Sequence, residues 1–90
     1  MSTDLFIAAM DKWGYDLQMT VCMEECAELI QEISKHLRDK YRDDDNLLSE
    51  LADVSICIDS IISMKNLSSD DFKEIRRSKI ERLAHRVIEG

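Results

Sequence analysis

The chain has no proline and only two glycines, at positions 14 and 90. Sheet proteins need turn residues at short intervals, so this scarcity argues against a β-rich fold and for helices. Cysteine is sparse and odd in number: Cys22, Cys26 and Cys57, with no CxxC pair. That argues against a disulfide scaffold and for a reducing cytoplasm. No run of about 18 uninterrupted apolar residues exists, so no membrane partner is expected. The N-terminus lacks the charged-then-apolar pattern of a secretory leader. Positive charge is also short. Twelve Lys and Arg against nineteen Asp and Glu leave a net charge of −7, a poor basis for binding nucleic acid non-specifically or an anionic membrane. The imbalance is uneven, since residues 73–90 hold six basic and three acidic side chains. An anionic ligand would need either that basic tail or a metal ion.

What is present is apolar and helix-compatible. Hydrophobic residues make up 44% of the chain, enough for a packed core and too much for disorder. Ninety residues make a single domain, 1–90. So small a domain has little interior for its surface, so association into a homodimer or homotetramer is expected. The fold class is all-α, an antiparallel bundle of about four helices. The first runs from about Asp4 to Trp13 and stops near Gly14. The second starts after Asp16, a candidate N-cap, and reaches about Arg38. A polar stretch from Asp39 to Asn46 leads to a third helix, about Leu47 to Lys65, and Asp43-Asp44-Asp45 is expected to cap it. The fourth begins at a capping signal in Ser68 and Ser69, with Asp70 and Asp71 in its first turn.

On the second helix, Cys22, Cys26, Leu29, Ile30, Ile33 and Leu37 fall in one arc at 100° per residue. Glu24, Glu25, Glu28, Glu32, Lys35 and Asp39 fall roughly opposite, as a concentrated acidic face whose plain reading is solvation. Cys22 and Cys26 read as small buried apolar groups. The third helix is apolar nearly all round, which predicts burial on most sides. Glu50 and Asp53 nevertheless sit within it, one turn apart. A buried carboxylate without a partner is costly or takes up a proton. Something positive should therefore face these two: a Lys or Arg from another helix, or a divalent cation.

Glu24-Glu25-Cys-Ala-Glu28 reads EExxE, and Glu50-Leu-Ala-Asp53 reads ExxD. Spacings of three and four put side chains on one helix face. Two antiparallel helices with such faces bring four or five carboxylates together. Oxygen ligands suit a hard cation, Mg²⁺ first and Mn²⁺ second. Zinc fits poorly, because no His or Cys has ligand spacing to these positions. Asp43-Asp44-Asp45 lacks the mid-loop glycine of an EF-hand. In a chain with eight Glu and eleven Asp, an isolated ExxD carries no weight. EExxE followed by ExxD at this distance carries much more.

EExxE, a 21-residue gap and ExxD is the pattern of the all-α nucleoside triphosphate pyrophosphohydrolases, and the chain resembles their MazG-like group. Trp13-Gly14 with Gln18 is similar to that family's opening. So is Glu24 to Ile30 followed by Lys35 and Arg38, and Lys79 to Arg86 is similar to its basic C-terminal helix. The resemblance implies Mg²⁺-dependent cleavage between the α and β phosphates of a nucleoside triphosphate, giving a monophosphate and pyrophosphate. It implies Glu25, Glu28, Glu50 and Asp53 as metal ligands. Glu24 is implied as a further ligand or as the base that orients water, and Glu24 and Glu25 as the catalytic pair. The short length is like single-domain forms from bacteria and bacteriophages, which implies a cytoplasmic enzyme.

Lys79, Arg82 and Arg86 share a helix face, read as a clamp for the leaving pyrophosphate or as surface ion pairs with an acidic neighbour helix. Lys35 touches phosphate or pairs with Glu28, Glu32 or Asp39. Trp13, Tyr15 and Gln18 are candidates for a base pocket, with a core role for Trp13 as the alternative. His36 and His85 read as surface or interface residues. Two rival readings stand beside this one. One is a phosphoribosyl-ATP pyrophosphohydrolase, against which the Trp13-Gly14…Gln18 opening counts. The other is a helical interaction module without activity.

Overall fold

A computed structural model describes the backbone of residues 2–90 and the side chains of residues 5–90. The architecture is all-α: α1 Ser2–Trp13, α2 Tyr15–Arg38, α3 Asp45–Met64 and α4 Ser69–Glu89. Among the described residues there is no strand, and no helix is long and apolar enough to cross a membrane. The expected breaks hold, with shifts of one or two residues at the ends. Gly14 separates α1 from α2 because it adopts φ 94, a left-handed value that side chains with a Cβ rarely take. Space is not the constraint, since a Cβ there would meet nothing within 4 Å. Asp16 lies inside α2 rather than capping it. Asp44 occupies the cap position of α3 without a side-chain cap bond. Asp43 acts instead, its Oδ1 accepting from the Asp45 amide at 3.2 Å. Ser68 caps α4, accepting from the Asp71 amide at 3.1 Å.

The elbow between α3 and α4 is built from local bonds. Leu67 N donates to the Ile62 carbonyl at 2.9 Å, and Asn66 takes φ 52, a Schellman-type stop with asparagine in the left-handed position. Asn66→Ala is expected to destabilise the chain by about 1 kcal/mol and Asn66→Gly by much less. Urea unfolding midpoints of the two variants check this.

α2 and α3 form the main contact, α1 lies chiefly on α3 and secondarily on α2, and α4 packs on none of them to a comparable extent. The α2–α3 seam follows a three-four spacing on each helix. On α2 it comprises Gln18, Cys22, Glu25, Leu29, Glu32 and His36; on α3, Leu47, Glu50, Val54, Cys57, Ile61 and Met64. All twelve are buried or half-buried. Contacts across it run in opposite chain directions, so the pair is antiparallel. The Cys22 thiol donates to the Cys57 carbonyl at 3.9 Å, whereas Glu32, further along α2, binds Arg42 ahead of α3.

This seam corrects the expected polarity of α2. Glu25 and Glu32, assigned from sequence to a solvated face, point inward with Cys22 and Leu29. Ile30 and Leu37 are 68% and 73% exposed, and Cys26 is exposed rather than buried. The buried stripe straddles the boundary of the two predicted arcs, taking Cys22 and Leu29 from the apolar one and Glu25 and Glu32 from the acidic one. The expectation for α3 is corrected in the same way: Leu48, Leu51, Ile56 and Ile58 are exposed in the single chain. The core is correspondingly thin. Cys22, Cys57 and Met64 are its only buried apolar residues among those described.

The molecule is open. Its radius of gyration is 16.1 Å, against about 12 Å for a compact chain of this length. Its accessible surface is 7263 Å², against about 5,400 Å² for a folded monomer of this mass. α4 adds to this surface, with no buried residue along its length, and so do the exposed apolar side chains of α2 and α3.

Candidate metal centre

One helical turn separates Glu25 from Glu28 on α2, and one turn separates Glu50 from Asp53 on α3. The antiparallel register lays these two turns side by side. One oxygen from each of Glu25, Glu28 and Glu50 lies within 4.8 Å of the others. Asp53 adjoins Glu25 and Glu50 closely enough to act on both electrostatically. Oε2 of Glu25 and Oε2 of Glu50 are buried and receive no hydrogen bond.

The electrostatics follow from this crowding. Burial raises the Glu25 carboxyl above its ordinary 4.5, with the charges of Glu28, Asp53 and Glu50 adding to the shift. Glu50 is raised by burial first, then by Glu28 and Asp53. Among the described residues no Lys, Arg or His forms an ion pair with any of the four. The Arg42 guanidinium is taken by Glu32, one turn beyond Glu28 on α2. Of the two positive partners expected for Glu50 and Asp53, the basic side chain is therefore not supplied by these helices.

The donor set fits a hard divalent cation. All its donors are carboxylate oxygens from two helices, and Glu25 and Glu50 each carry a buried oxygen without a donor, which a cation would satisfy. Zinc remains a poor fit. No His or Cys joins the cluster, and burial beside the Cys22 thiol pushes the nearby Cys57 thiol up to about 12, leaving it protonated.

The other candidate residues are dispersed. Glu24 is exposed and lies outside the three-carboxylate group, next to Glu28 on the rim by its four-residue spacing. Lys35 is exposed two turns beyond Glu28, in a shallow depression with Gln31, Ser34 and Arg38. Lys79, Arg82 and Arg86 are exposed on α4 and enter no ion pair among the described residues. The neighbouring Arg77 binds both Glu74 and Glu81, and His85 pairs with Glu89 at 2.9 Å. Trp13 is 54% exposed, which removes its core role; the Lys12 ammonium sits over its ring at 5.1 Å. Tyr15 receives Lys65 at 5.9 Å. Gln18 is half-buried on the seam, two turns before Glu25.

The residues that sequence reasoning missed are those of the Glu32 network. Glu32 is 4% exposed. Arg42 Nε donates to its Oε2 at 2.9 Å and the Arg42 terminal nitrogen to Oε1 at 3.3 Å. His36 Nε2 lies 3.1 Å from Oε2. The Arg42 hydrogen bond, with its charge, outweighs burial and holds the Glu32 carboxyl below 4.5. The available signal was the three-four series Cys22, Glu25, Leu29, Glu32, which continues the buried stripe.

No protein-family model, curated protein or solved structure matches this chain.

Proposed function

We propose that the chain is a Mg²⁺-dependent nucleoside triphosphate pyrophosphohydrolase of the MazG-like kind, with Mn²⁺ as a substitute metal. The observation that carries the reading is the convergence of Glu25, Glu28 and Glu50 on one point, with two buried oxygens that no donor satisfies. Two acidic motifs separated by 21 residues serve one locus, as that chemistry requires. Glu25, Glu28 and Glu50 would hold the ion, with Asp53, their electrostatic neighbour, as the fourth carboxylate. A divalent cation held there would supply positive charge for the phosphate oxygens and would acidify a nearby water.

The chain's own residues do the rest. Glu24, exposed on the rim beside Glu28, takes the proton as water attacks. Its exposure suits proton exchange with solvent. Lys35 on α2 and Lys79, Arg82 and Arg86 on α4 are cations free to bind the leaving pyrophosphate. Trp13, the last residue of α1, and Gln18, in the first turn of α2, receive the base by stacking and through an amide. Water and the triphosphate give a monophosphate and pyrophosphate, with the new P–O bond formed as the α–β anhydride breaks.

A screen of standard and modified (d)NTPs with Mg²⁺ tests this. Release of pyrophosphate with the matching monophosphate is expected, abolished by a chelator and restored by excess Mg²⁺ or Mn²⁺. Failure to release pyrophosphate from any triphosphate, or release of orthophosphate alone, overturns the reading.

A further inference from the structure

We infer that α4 is an exchange arm that docks into the α2–α3 groove of a second copy of this chain, each copy giving one arm and receiving one. Four observations converge on this. First, α4 carries an apolar stripe, Phe72, Ile75, Ile80, Leu83 and Val87, all exposed. A lone helix of about 21 residues gains little stability in water without such a stripe being covered. Second, the α2–α3 pair offers a receiving seam. Met23, Cys26, Ile30, Ile33 and Leu37 follow three-four spacing along the outer side of α2 and are exposed. Met19, Cys22 and Ile61 extend this surface into an apolar groove.

Third, the lengths match. At 1.5 Å per residue the α2 seam spans about 21 Å and the α4 stripe about 22 Å. Fourth, the surplus surface is of the right size. The chain exposes roughly 1,800 Å² more than a folded monomer of its mass, within the range that one subunit of an obligate homodimer buries. The arm also differs in sign from the body, since residues 73–90 hold six basic and three acidic side chains in a chain of net charge −7. It does not reach its own groove. Its first residues, Ser69, Phe72 and Lys73, border the body beside Phe6, Asp59 and Ile62, and the Asn66 elbow leads into it. Reciprocal docking is a closed two-fold arrangement, which covers both arms and leaves no open end. The inference does not depend on the metal chemistry.

Light scattering on the full chain should give twice its 10.5 kDa mass. In the dimer Cys26 is covered, so maleimide should label it slowly, and Leu83→Glu should speed that labelling about tenfold or more. Cys22 and Cys57 are buried within one copy and report unfolding if they label too. Leu83→Glu and Ile30→Lys should each lose the dimer. An equimolar mixture of the two should recover it, because one arm–groove pair in the mixed dimer is wild type. Should either variant lose helix when alone, recovery of helix and mass in the mixture still decides. A monomeric wild type, free-thiol labelling of Cys26 in the wild type, a dimer that survives Leu83→Glu, or a mixture that stays dissociated each overturns the inference.

Discussion

Glu50→Gln should raise the thermal midpoint of the metal-free chain and, in the same molecule, remove its response to Mg²⁺ and its pyrophosphate release. The two effects have one cause. Glu50 is half-buried among Glu28, Asp53 and Glu25, and its carboxyl is raised first by burial and then by Glu28. An acid whose folded value lies above its ordinary 4.5 stabilises the fold below that value. The stabilisation is lost as pH rises through the raised folded value. At neutral pH the metal-free chain therefore carries the full repulsion of the cluster. Glutamine keeps the shape, removes one charge and adds a donor for the Glu28 carboxylate beside it.

A ligand bound only by the folded state stabilises it in proportion to RT ln(1 + [L]/Kd). Wild type should therefore gain midpoint with added Mg²⁺ and Glu50→Gln should not. Loss of one ligand should lower kcat/KM at least about 100-fold, since even outer partners of metal ligands cost 10- to 100-fold. Scanning fluorimetry from pH 4.5 upward, with chelator or Mg²⁺, measures the first effect. In chelator the wild-type midpoint should fall across this window more steeply than that of the variant. Equal Mg²⁺ responses in both proteins would remove Glu50 from the metal site.

The difference between what was legible in the sequence and what was not lies in the range of the interactions. Gly14 and Ser68 act on their immediate neighbours, so the breaks between helices could be read directly. EExxE and ExxD each occupy one turn, and antiparallel pairing of adjacent helices is enough to bring Glu25 and Glu28 to Glu50. The fate of Glu32 depends on Arg42, ten residues away in a connection of no regular structure, and no periodicity encodes that bond. The side of α2 that faces inward was equally hidden. Ile30, Ile33 and Leu37 form as good an apolar stripe as any core face, and α3 instead covers the stripe of Cys22, Glu25, Leu29 and Glu32 beside it. With two seams on one helix, hydrophobicity does not rank which one a single chain closes. The detachment of α4 has the same origin: its pattern calls for a partner without saying whose.

Arg42→Ala should produce the largest loss of stability of any single change away from the carboxylate cluster. Glu32 is the most deeply buried charge among the described residues, and Arg42 reaches both its oxygens. Truncating one member of a buried pair leaves the other charge desolvated and unpaired, which costs far more than the pair's net contribution. For a domain of this size the thermal midpoint should fall by on the order of 10 °C. The Glu32 carboxyl is held below 4.5 chiefly by the Arg42 hydrogen bond. Its stabilisation is therefore complete above 4.5 and is lost as pH falls through the depressed folded value. The difference between wild type and Arg42→Ala should accordingly be widest at neutral pH and shrink in that acid window. Removing both charges together, as Glu32→Leu with Arg42→Met, should recover much of the loss, because two apolar groups of similar volume leave nothing unpaired. A double variant as unstable as Arg42→Ala would mean that the aliphatic packing of Arg42, not its charge, closes this end of the seam.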